Sequence, residues 1–316
     1  MVAFIGFVGL VIDGGTTFFQ RRDQQKGADL AALAGANDFL LHSDVAAAQT
    51  TALGVARDNG WDPSIVTVTV NVTPFHVAGG SVQVQVTAPH QNSFAAIFGM
   101  NSWNVGVSAT AVAGQVTASS ASGPFLVSYN DFQANGMPVA GKSLAGCGAG
   151  GCAFGTVNGD SPSDPNDVAW TNYGNGNVDT SQVANIITGA WVPSNTIDVN
   201  QYIGQHNNGF HNALFQDIDA YLAGKDVLIP VVTQQVPGIN DGPASCGGPS
   251  GLPAGGGCFQ GWAIFHVVTA VGGSDKHIYG YFVSQEFVPG GVVTDCDPAV
   301  SVCPRSFGSF GLQLVE

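Results

Sequence analysis

The first 41 residues, Met1 to Leu41, contain no proline and begin as unbroken apolar sequence. The run meets its first charge at Asp13, passes Arg21-Arg22 and enters a stretch rich in Ala and Gly. A helix satisfies every backbone group of such a stretch locally, so it is the expected conformation in apolar surroundings. Uninterrupted, it reaches about 60 Å at about 1.5 Å per residue, more than a small domain covers. It therefore requires partners outside its own domain.

Two packing surfaces follow from helical spacing. Phe4, Phe7, Val8 and Val11 make an apolar stripe. Gly27, Ala31 and Gly35, shadowed by Ala28, Ala32 and Ala36, recur every fourth residue, where small side chains let two helix backbones approach closely. The same pattern suits an Ala-rich helix buried in its own core, but the apolar head favours packing between copies. Asp13 joins this intersubunit set, because a carboxylate in apolar surroundings is costly unless protonated or paired. Arg21 or Arg22 of a neighbouring helix, or a processed amino terminus, would neutralise it; alternatively, Asp13 marks where the apolar segment emerges into water.

The run Gly9-Leu10-Val11-Ile12-Asp13-Gly14, then Gln20-Arg21-Arg22, Gln24-Gln25 and Ala28-Asp29-Leu30-Ala31-Ala32-Leu33-Ala34-Gly35-Ala36, resembles the start of TadE/TadG-like proteins of the tight-adherence (Flp-type) pilus system. In that family an apolar, acid-bearing segment leads through a basic pair into an alanine-rich helix ahead of an extracellular domain. The likeness continues through SFAAIFGMNSWNVGVSATAVAG to residue 115, and a weaker one covers 226–232 and 261–265. It implies a structural subunit of an extracellular filament, displayed at the cell surface and polymerising with copies of itself through the N-terminal helix. Before assembly, its partners would be the inner membrane and the pilus assembly machinery. The alternatives are a minor membrane-anchored assembly component of the same system, or an anchored secreted enzyme or carbohydrate-binding module. Met1–Ile12 is shorter than the about 20 residues that span a bilayer, which implies that an upstream segment has been cleaved or precedes this sequence.

The expected fold is α+β: a long pilin-like helix, a small αββαβ domain, and a loop-rich, disulfide-linked, β-rich C-terminal domain. A helical stalk occupies 1–60, with helices at 2–41 and 44–58, the second capped by Ser43 or Asp44. A small β-rich domain, 61–114, packs on the helices. Its strands are Ile65–Val70, Val82–Val86 and Val105–Ala113, read from the period-two alternation of Val and Thr, with a short helix at Ser93–Gly99. The small polar run 115–123 reads as a linker and 124–316 as the extracellular domain. Within that domain Ser181–Thr188 and His211–Ala223 read as helices, the second placing Leu214, Phe215, Ile218 and Leu222 on one face. Val227–Val232, Ala263–Val271, His277–Val283 and Phe310–Val315 read as strands.

Charged residues are 9% of the chain and the net charge is −14. Met1–Gly60 holds four basic and six acidic residues, so nearly all of that charge lies beyond it. Nucleic-acid binding is disfavoured, since phosphate contacts need clustered Lys and Arg. The six cysteines fall into three close pairs, Cys147 with Cys152, Cys246 with Cys258 and Cys296 with Cys303. Short Gly-, Pro- and Ser-containing loops make sequential pairing feasible, and none of the spacings is a zinc knuckle, so disulfides in an oxidising compartment are expected.

No cofactor, metal or catalytic set is expected. Gly136–Ser143 matches the phosphate-loop expression, but the Leu144-Ala145-Gly146-Cys147-Gly148 that follows is a poor helix, whereas the chemistry needs helix amides around the phosphates. His206 and His211 are five apart rather than the four of a helical zinc pair. The run 158–167, with Asp160, Asp164 and Asp167, offers oxygen ligands for calcium without the EF-hand order, and reads as a solvated loop. Asn71-Val72-Thr73 and the Ser/Thr run of the linker are candidate glycan acceptors.

Overall fold

The computed structural model describes residues 2–119, 123–129, 152–154, 168–173, 179–192, 197–198, 202–203, 212–236, 239–240, 257–273, 277–283, 286–301 and 303–315. Cys147, Cys246, the 136–143 pattern, the 158–167 loop and the His206/His211 pair lie outside the described residues. Phe4 and Phe7 lie in described helical backbone, but their side chains, like that of Cys152, fall outside the description. The chain divides into two compact units, residues 1–114 with 312–316, and residues 115–311.

The first unit opens on α1, Val2–His42, followed by α2, Val45–Asp58. The reversal between them needs only Ser43 and Asp44. Ser43 takes φ 54°, a left-handed conformation, and its amide donates to the Phe39 carbonyl at 2.7 Å, closing α1. The Asp44 side chain then accepts from the amides of Ala46 at 2.8 Å and Ala47 at 3.1 Å, satisfying donors that α2 leaves orphaned.

The strands β1 (Thr67–Pro74), β2 (Gly79–Gln91) and β3 (Ser102–Ser119) form an antiparallel meander in which Val70 faces Val84 and Val84 faces Ala109. Their alternation sends Val82, Val84, Val86, Val107, Ala109, Ala111 and Ala113 into one core with Ala28, Ala31, Ala32 and Ala36 of α1 and Ala52 and Ala56 of α2. The layers are close. A Cβ on Gly35 would sit 3.0 Å from both Ala52 Cβ and Val82 Cγ1, so glycine is what admits α2 and the sheet together. A 3-10 turn, Ala95–Phe98, joins β2 to β3.

In the second unit, β3 continues through Gln115–Ser119, the start of the segment expected to be a linker. Val116 and Ala118 are buried and Thr117 Oγ1 donates to the Val292 carbonyl at 3.0 Å, so the inward alternation persists where composition alone suggests a break. The remaining strands are β4 (Phe125–Ser128), β5 (Cys152–Phe154), β6 (Val168–Trp170), β7 (Ile197–Asp198), β8 (Tyr202–Ile203), β9 (Asp226–Val236), β10 (Ile239–Asn240), β11 (Gly257–Val271), β12 (His277–Val283), β13 (Glu286–Phe287), β14 (Val292–Val293) and β15 (Ser309–Val315). Among the described residues an eight-stranded sheet runs in the order β5-β12-β11-β9-β4-β6, with β10 beside β9 and β8 beside β11. Helices Thr180–Ile187 and Asn212–Tyr221 pack on it; Leu214, Phe215, Ile218 and Leu222 are all buried, with Phe125, Trp170, Ile229 and Phe265 in the same cluster. Cys296 and Cys303 form a disulfide with Cα atoms 5.6 Å apart, and Cys258 is also disulfide-bonded.

Candidate functional site on the N-terminal helix

One face of the helix head is bound to its own unit by polar groups spaced at helical intervals. Asp13, only 1% exposed, accepts backbone hydrogen bonds from Ser93 at 2.9 Å, Phe94 at 3.0 Å and Ala95 at 2.7 Å. These amides open the 3-10 turn, so the carboxylate occupies the position where that turn presents unsatisfied donors. The Ala95 bond is the strongest influence lowering the Asp13 pKa below its ordinary value of 3.8; burial opposes it, and the bonds from Ser93 and Phe94 and the nearby His90 reinforce it. The phenyl ring of Phe94 covers Gly9, where an added Cβ would lie 2.6 Å from the ring base.

The ladder continues one turn at a time. The Gln20 side-chain nitrogen donates to the Pro89 carbonyl at 3.3 Å, which turns its oxygen toward His90 Nδ1 at 2.6 Å and places a proton on that nitrogen. His90 Nε2 lies 3.2 Å from Thr16 Oγ1, and its ring stacks on Trp103 at 5.8 Å. Gln24 donates to the Val105 carbonyl at 3.0 Å and Gln25 to the Ser108 carbonyl at 3.1 Å. Each bond ends on an element of β2 or β3, so the head of α1 is held in one rotational setting.

That setting decides what faces outward. Leu10, Val11, Ile12, Phe18 and Phe19 are exposed, with Leu10, Phe18 and Phe19 at 65% or more, and Val8 is exposed beside them. A Cβ added to Gly14 or Gly15, between these groups, would meet nothing within 4 Å. Arg21, Arg22 and Lys26 follow, also exposed, and among the described residues no ion pair includes them. The same end of the unit carries exposed Ile97, Phe98 and Met100 on the 3-10 turn and just after it.

Two of the residue sets expected between subunits are engaged within the chain's own unit. Ala28, Ala31 and Ala32 are fully buried, Ala36 nearly so, and Gly27 and Gly35 are buried with them. This small-residue face is filled by α2, β2 and Trp61 of the same chain, so in this structure it offers no surface to a neighbour. Four-residue spacing of small side chains dictates close approach without naming whose backbone approaches. The counterpart was present as Ala48, Ala52 and Ala56, at the same spacing on α2 and all fully buried. Asp13, for its part, is held as a carboxylate by three amides of its own unit. Val8 and Val11 do lie on the open face. Thr16, Gln20, Gln24 and His90 were not foreseen, although three of them stand at helical spacing with Asp13.

Among the described residues, no group of three or more His, Cys, Asp or Glu side chains is placed to hold a metal ion. No described helix is long and apolar enough to cross a membrane.

Compared with known proteins, residues 1–38 match the family model Tad, described as "Putative Flp pilus-assembly TadE/G-like". The match falls on the helix just described and takes in its buried small-residue face, Gly27 to Ala36. No curated protein and no solved structure matches the chain.

Proposed function

We propose, taking the match of residues 1–38 as premise, that this pilus-related component is a structural subunit of an extracellular filament, polymerising through the outer face of its helix head. The observation that carries the reading is the exposed row of Leu10, Val11, Phe18 and Phe19 on a helix whose opposite face is fully committed to its own unit. Burying apolar area is worth roughly 25 cal/mol per Å², so several large side chains left in water at one end favour association. Phe4, Phe7, Val8 and Val11 belong to this contact. The small-residue set from Gly27 to Ala36 acts instead within the subunit, keeping the head rigid for assembly. Copies of the chain are the partners in the filament, and the membrane and assembly machinery hold the subunit beforehand.

Electron microscopy of sheared cell-surface material tests the proposal. Filaments containing this chain are expected, and Val11→Asp is expected to abolish them while leaving the fold intact. Recovery of the wild-type chain solely as a monomer in detergent, with no filaments, would indicate a minor anchored component instead.

A further inference from the structure

We propose that the turn bearing Ile97, Phe98 and Met100 is a second lipid-contacting element, immersed in a bilayer surface beside the helix head. Ile97 and Phe98 are each 75% exposed and Met100 55%, on the 3-10 turn and just after it. Gly99 between them faces open space. Three large apolar side chains exposed together in so short a segment suit a fluid apolar phase, which closes around them.

The tip does not float relative to the helix. Asp13 holds the amides of Ser93, Phe94 and Ala95, and the Phe94 ring covers Gly9, so the tip is fixed at the level of the apolar segment that precedes Asp13. Arg21 and Arg22 lie about 12 Å further along the axis at about 1.5 Å per residue. Interfacial apolar groups enter about 5–10 Å into the headgroup and acyl boundary. With the tip immersed to that depth and the helix standing along the membrane normal, Arg21 and Arg22 reach the phosphate level and Lys26, about 6–8 Å further on, faces the outer headgroup surface. Three of the chain's eight Lys and Arg residues thus fall within six positions at the border of the apolar end, in a protein of net charge −14. That placement complements anionic lipid.

The inference rests on the reading of the helix head as a surface that seeks apolar surroundings, and the test separates the two. The full chain is mixed with vesicles of phosphatidylcholine, with and without phosphatidylglycerol, and binding is measured by flotation, with sedimentation of vesicle-free samples reporting self-association. Ile97→Ser, Phe98→Ser and Met100→Ser combined are expected to weaken vesicle binding about tenfold or more, with an unchanged circular dichroism spectrum and unchanged self-association. Arg21→Gln with Arg22→Gln should weaken binding only to the anionic vesicles, about fivefold per arginine. If the tip variant binds vesicles as the wild type does while Leu10→Ser with Val11→Ser does not, the tip proposal is overturned and the helix head retained. If the wild type ignores vesicles but self-associates through the tip, the tip contacts another copy of the chain and the lipid proposal is overturned with the filament reading intact.

Discussion

The two halves of α1 are held to the same unit by opposite chemistries. From Gly9 to Gln24 the inner face is polar: a carboxylate, a hydroxyl and two amides reach backbone amides, carbonyls and one imidazole of β2, β3 and the turn between them. From Gly27 to Ala36 the inner face is small and apolar, and α2, the sheet and Trp61 pack against it. The apolar half is held by close packing, and the row of hydrogen bonds in the polar half is directional and fixes the helix head about its axis. The head needs that directionality. Its outer side exposes Leu10, Val11, Ile12, Phe18 and Phe19, and without the polar ladder the favourable move would be to roll those residues inward.

The most disruptive way to break this comparison is to overfill the apolar half. Ala32→Leu places three extra carbons where α1, α2 and β2 leave no accessible surface, so unit 1 should lose about 1–3 kcal/mol of stability. Chemical denaturation reads this directly. The loss should be present in the isolated monomer; an Ala32→Leu monomer as stable as wild type that nonetheless fails to assemble would return the small-residue face to an intersubunit role.

A smaller and more local effect is expected in the polar half. The folded-state pKa of Asp13 lies below its ordinary value of 3.8, so its three hydrogen bonds contribute fully above that value and are lost as pH falls through the folded pKa. The protection of the Ser93, Phe94 and Ala95 amides against hydrogen exchange, relative to their intrinsic rates at each pH, should therefore be high near neutrality and fall in acid below 3.8. In Asp13→Asn the three amides should exchange faster at neutral pH, with the acid-dependent step removed. A step that survives in the variant would assign the acid sensitivity to another group.

Much of this architecture is legible in the sequence, but unevenly. The Val and Thr alternation of β1 to β3 declares itself because a half-buried sheet repeats every second residue. The ends of β2 do not, since Pro89 ordinarily stops a strand. Here it pairs opposite Asn104, and its carbonyl accepts a hydrogen bond from the Gln20 side chain, which ties this end of β2 to α1. The four-residue repeat of small side chains announces a tight helix contact, yet only the two-residue corner at Ser43-Asp44 makes α2 the partner. Gln20 and Gln24 read as polar spacers because an amide side chain carries no sign of which carbonyl it will meet across the fold. Ile97 and Phe98 read as part of a short helix at Ser93–Gly99, and their exposure shows only once their surroundings are known.

The smallest expected effect on stability is the one that most sharpens the contrast. Phe18 is 65% exposed, and its only ring contact among the described aromatic pairs is with its neighbour Phe19 at 6.4 Å. Phe18→Ser removes no buried contact and leaves no cavity, so denaturation of the monomer should shift by no more than about 0.5 kcal/mol, the ordinary range for a surface position. Assembly should respond very differently. A side chain that is idle in the monomer and buried between copies contributes its transfer free energy only on association, about 1.5–3 kcal/mol for a phenylalanine, and every subunit of a polymer repeats the loss. Sedimentation of Phe18→Ser should show a raised critical concentration for assembly beside an unchanged unfolding midpoint. A variant that assembles at the wild-type concentration would remove Phe18 from the contact and confine association to the residues before Asp13; one that unfolds early would mean that the outer face of α1 already has a partner within its own chain.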